Sequence, residues 1–137
     1  DDLAYELACN YLETVVEVFK NTGTVYENYS PEEKRQGFPA LDEFVGWTGL
    51  APISVLLEYV FGIRPQAQER KIVWRINRLE KHGVQRYPLG DATVELVCES
   101  RSALEEKPCV TIKSDRPITV ELVWQGGAET ITVKPEI

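Results

Sequence analysis

The spacing of hydrophobic positions changes once along this chain. Between residues 3 and 19 apolar residues fall at positions 3, 4, 7, 8, 11, 12, 15, 16 and 19 among others. They recur at i, i+3 and i+4, as the buried stripe of an amphipathic helix does. Glu6, Glu13 and Glu17 take the opposite side, Lys20 suits the last turn, and Gly23 follows as a stop. Residues 50–61 predict a second helix, with Thr48 as its cap, Pro52 in its first turn and Gly62 beyond its end. That segment is apolar on nearly every side, with Ser54 and Glu58 breaking the run. A helix of this kind needs neighbours all round. The expectation is that it exposes apolar surface and drives self-association.

After Arg64-Pro65 the pattern alternates. Strands are predicted over 71–76, 84–89, 93–99, 109–113, 118–124 and 130–134, with turns at Gly90-Asp91, Asp115-Arg116-Pro117 and Gln125-Gly126-Gly127. Five or six short antiparallel strands of this kind make a small sandwich or curled sheet. The order is helices first and strands second, an α+β arrangement, divided into residues 1–65 and 66–137. His82, in Glu80-Lys81-His82-Gly83, is expected in a solvated turn. Trp74 and Trp124 fall on the apolar faces of their strands and are expected to be buried.

Composition narrows the function classes. Lys and Arg total 15 against 22 Asp and Glu, a net charge of −7. A general nucleic-acid role needs a basic face, so it is excluded. No apolar run is long enough to span a membrane. The three cysteines, Cys9, Cys98 and Cys109, have no metal-ligand spacing. A Cys98–Cys109 bridge is conceivable, but cysteines outside a framework are more often free; they do not settle whether the compartment is cytoplasmic, periplasmic or extracellular. The chain opens on Asp1-Asp2 and contains no Met, which suggests a piece of a longer protein.

The candidate chemistry lies between the two helices. Residues 23–49 form a connection of about 27 residues, where more than ~15 is uncommon unless functional or disordered. Phe38, Leu41, Phe44, Val45 and Trp47 are too many large apolar groups for a solvated linker. Glu27 stands between Tyr26 and Tyr29, with Asn28 beside it. Aromatic rings beside a carboxylate suit a sugar site. The rings stack on the C–H faces of a pyranose, and the carboxylate handles protons or hydroxyls. A surface acid between two core tyrosines fits the composition as well.

Two motifs, Gly23-Thr24-Val25-Tyr26-Glu27-Asn28-Tyr29-Ser30-Pro31 and Gly46-Trp47-Thr48-Gly49-Leu50, resemble the C-terminal part of the (α/α)6-barrel inverting glycosidases. That clan includes trehalases, processing α-glucosidases and mannosylglycerate hydrolases. The exit Ile63-Arg64-Pro65 and the strands after it resemble the β-rich tail of bacterial members. The resemblance implies the terminal helices of an (α/α)6 toroid followed by a small antiparallel sheet. It implies Glu27 as general base, Tyr29 and Trp47 as sugar-contacting aromatics, no cofactor, and a general acid supplied from elsewhere. By itself the chain would then be inactive. Trehalases follow the Glu-X-Tyr motif with a glycine-rich run and a further glutamate. Here the gap reads Glu32-Glu33-Lys34-Arg35-Gln36-Gly37-Phe38-Pro39, which favours another α-glucosyl- or α-mannosyl-acting enzyme. Two other readings remain: a carbohydrate-binding or interaction module presenting Trp74 and Trp124, and a scaffold domain in which Glu27 is merely solvated.

Overall fold

A computed structural model describes residues 2–135. The chain divides into two units, with the boundary in the sequence between Val60 and Phe61.

The first unit is built on α1 (Asp2–Thr22). Gly23 ends it, its N–H donating to the Phe19 carbonyl at 2.7 Å. The buried line runs through Ala8, Val15 and Val18, with Tyr11 and Leu12 partly covered. Leu3, Leu7, Val16 and Phe19 are exposed. The protected stripe is therefore narrower than the apolar one and rotated towards Val18.

The second helical segment is not one regular helix. Gly46–Gly49 is a 3-10 turn, Ala51–Val55 is α-helical (α2), and Leu56–Val60 has π geometry. Pro52 lacks the N–H that would extend an α-helix backwards, so the tighter turn takes over on its N-terminal side. Val60 is buried, whereas Leu50, Ile53 and Tyr59 are exposed.

Among its described residues the second unit holds seven strands. They are β1 (Ile63–Gln66), β2 (Lys71–Arg75), β3 (His82–Leu89), β4 (Ala92–Cys98), β5 (Val110–Ser114), β6 (Ile118–Trp124) and β7 (Gly127–Val133). One sheet has the order β1-β2-β6-β7 and the other β3-β4-β5. Alternation places Ile72 and Trp74 of β2, Val94, Leu96 and Cys98 of β4, and Ile118, Val120 and Leu122 of β6 inside a single core. Trp74 is wholly buried, and its indole N–H donates to the Phe61 carbonyl at 2.9 Å.

These observations correct several expectations. No (α/α)6 toroid is seen among the described residues; one long helix and a short, bent one make up the helical unit. The two motifs behind that expectation specify local turns, not the number of helices around them. The sheets are also not purely antiparallel: β2 and β6 pair in parallel, with Ile72 opposite Val120 and Trp74 opposite Leu122. β1 was not expected, because only Ile63 of its four residues is buried and no alternation announces it. His82 is not in a solvated turn. It opens β3 and is buried, its ring 5.5 Å from that of Phe61 and 6.3 Å from that of Trp74. Cys9, Cys98 and Cys109 are free.

Candidate functional site

The segment after α1 first dips into the helical unit and then turns out. Tyr26 is buried and Glu27 is exposed. The Tyr26 N–H donates to the Tyr29 hydroxyl at 3.2 Å, which folds the four residues into a compact turn. The Tyr29 ring meets Tyr11 of α1 edge-on, at a centroid distance of 6.5 Å and an interplanar angle of 89°, a favourable aromatic geometry. Burial, and then the nearby Tyr29, raise the Tyr11 phenol above its usual pKa.

A short hairpin follows. Tyr29 bridges to Gln36, the Ser30 N–H donates to Arg35 O at 3.0 Å, and the Gly37 N–H donates to Asn28 O at 3.0 Å. The Asn28 amide donates to Pro39 O at 3.0 Å. A Cβ on Gly37 would lie 1.9 Å from Asn28 Oδ1, so a larger residue there would displace the Asn28 side chain from its place. Lys34, near the hairpin tip, reaches Glu13 and Glu17 of α1 at 3.5 and 3.4 Å. All three side chains are well exposed, so the clasp orients more than it stabilises.

The 3-10 turn then returns to Glu27. The Thr48 hydroxyl donates to the Glu27 carbonyl at 2.5 Å. Gly46, at φ +53°, leaves room for the Glu27 side chain: a Cβ there would sit 3.2 Å from Glu27 Cβ and 3.7 Å from Oε2. Its left-handed backbone also favours glycine. Both motifs singled out in the sequence therefore converge on one carboxylate.

An open cleft of about 510 Å3 results, lined by Tyr11, Glu27, Asn28, Tyr29, Thr48, Ala51 and Val55. Its size is that of a small-molecule site. Glu27 is the one carboxylate among the described residues lining it, and it makes no ion pair among them. Of the three candidates, Glu27 and Tyr29 share this cleft. Trp47 does not line it; it stands next to Thr48, 92% exposed. Sequence reasoning missed Tyr11, which lay in an apolar stripe with nothing to distinguish it. It assigned Thr48 to a helix cap, although no side-chain cap bond forms at that turn.

Among the described residues no group of three or more His, Cys, Asp or Glu could hold a metal ion. In the strand unit Trp74 has no exposed surface to offer a sugar, and Trp124 is only partly exposed. No known family, curated protein or solved structure matches the chain.

Proposed function

We propose that the helical unit carries the water-activating half of an inverting glycoside-hydrolase site acting on α-linked sugars. One observation carries the reading: two separate turns hold an unpaired, solvent-facing carboxylate beside aromatic rings in a ligand-sized cleft. In such a reaction Glu27 takes a proton from water as the water oxygen attacks the anomeric carbon. A second carboxyl group protonates the departing glycosidic oxygen from the opposite face. The two groups sit roughly 6.5–9.5 Å apart, leaving room for the water, and the anomeric configuration inverts. Since the cleft has a single carboxylate lining it, the proton donor comes from protein outside it. Tyr29, which lines the cleft, offers its ring to the sugar; Trp47 stands outside it.

The same single carboxylate favours a second reading, sugar binding without turnover. One pair of measurements separates the two. Titration of the isotopically labelled chain with methyl α-glucoside or methyl α-mannoside is expected to shift the amide resonances of Glu27, Tyr29 and Thr48. Glu27→Gln is expected to keep that binding and, in the protein that joins this chain to its proton donor, to abolish hydrolysis. No shift at those amides overturns both readings. Undiminished hydrolysis by Glu27→Gln overturns the base role and leaves binding.

A further inference from the structure

We propose a second sugar subsite on the other side of Tyr29, built around Phe38, so that the preferred ligand spans two rings. The inference rests on the sugar reading above and extends it to the size of the substrate. Phe38 is 96% exposed, which forfeits the transfer gain that burying an aromatic ring provides. It is nevertheless presented by a fixed frame, because Gly37 and Pro39 on either side of it are both hydrogen-bonded to Asn28. A cleft of about 480 Å3 opens beside it, lined among others by Tyr29, Ser30, Arg35 and Phe38. Asn28 and Tyr29 line both clefts, so the two lie side by side with one aromatic ring in their shared wall.

The polar groups suit a sugar better than an apolar partner. Arg35 uses its Nε–H on Glu33 at 2.6 Å, which leaves its terminal N–H groups as donors. The Ser30 oxygen accepts from the Glu32 and Glu33 N–H groups at 3.4 Å, which leaves its own O–H to donate. An exposed ring flanked by such donors matches a pyranose, with one face of C–H groups and a rim of hydroxyls. With Glu27 in the first cleft, the ring cleaved from lies there and the leaving-group ring lies on Phe38.

The test compares methyl α-glucoside with kojibiose, nigerose, maltose and isomaltose, titrated into the labelled chain. At least one disaccharide is expected to bind about tenfold more tightly than the methyl glycoside, the effect of one added stacking contact. It is also expected to shift the amides of Ser30, Arg35 and Phe38, which the methyl glycoside leaves in place. Phe38→Ala should bring that disaccharide down to the methyl glycoside's affinity without altering the latter. Since Phe38 packs on almost nothing, the variant should keep the wild-type amide spectrum. If methyl α-glucoside binds at Glu27 and Thr48 but no disaccharide binds better, the second subsite is overturned and the first stands. If no sugar binds at Glu27, both fall together. If Phe38→Ala leaves the disaccharide's advantage intact, Phe38 is not the stacking surface and the proposal fails.

Discussion

The side chain of Thr48 holds the main chain of Glu27. Its hydroxyl donates to the Glu27 carbonyl at 2.5 Å across 21 positions of sequence. The threonine of one motif thereby fixes the backbone from which the carboxylate of the other projects. Thr48→Val keeps the shape and removes the donor. An exposed neutral hydrogen bond of this kind contributes about 0.5–1 kcal/mol. We therefore expect a loss of that order in chemical denaturation, together with weaker methyl α-glucoside binding. Thr48→Ser should restore both. Equal sugar affinity in all three proteins would show that the bond does not position the site.

In the strand unit Trp74 joins packing to hydrogen bonding. Trp74→Phe leaves a gap in the core and strips the Phe61 carbonyl of its donor, which stands at 2.9 Å. The expected cost is about 2–3 kcal/mol. It should read as a lower urea midpoint with an unchanged slope, followed by circular dichroism.

His82 gives that unit a dependence on acid. Its Nδ1 lies 2.8 Å from the Glu80 carbonyl and so carries the proton, while the buried Nε2 has no partner among the described residues. Burial is the largest influence and lowers its pKa from the usual 6.5. The Glu80 carbonyl and carboxylate oppose this, and Arg78 and Arg101 reinforce it. Below pH 6.5 the unfolded chain binds a proton that the folded chain resists. Stability is therefore full above that value and falls as pH drops towards the lowered folded pKa. Urea midpoints for wild type should decline between pH 7 and 5 more steeply than those of His82→Phe. Parallel curves would remove His82 as the cause.

The helical unit leaves Leu50 74% and Ile53 57% exposed. Apolar patches of this kind promote association. Sedimentation velocity should show a rising weight-average mass with concentration, and Leu50→Glu with Ile53→Lys should lower it. A concentration-independent monomer in the wild-type protein would rule out association through this surface.

Much of this was legible because it depends on periodicity. The 3.6-residue spacing located α1, and strict alternation in Ile118, Val120 and Leu122 located β6. The direction of pairing was not legible. Nothing in the residues of β2 states that its neighbour is β6 or that the two run in parallel. The bulge between Val84 and Tyr87, with Arg86 at φ +53°, also lies outside any alternation rule. His82 left a usable sign. It has the parity of Val84, hence the same face of the strand, but its charged neighbours Glu80 and Lys81 suggested a turn. At the site, Glu27 and Tyr29 were visible from their motif. The hollow they share with Tyr11 and Thr48 depends on long-range packing and was not.

The parallel pairing of β2 with β6 has a consequence for the order of assembly. Ile72 must find Val120 across about 48 residues of chain, and such distant pairings form slowly. The intervening β3-β4-β5 meander closes through neighbouring hairpins alone. On a growing chain the meander can be complete while β2 still lacks a neighbour on its β6 side. Pulsed hydrogen exchange during refolding should find the amides of β4 protected before those of β6; simultaneous protection would mean that the sandwich closes in one step.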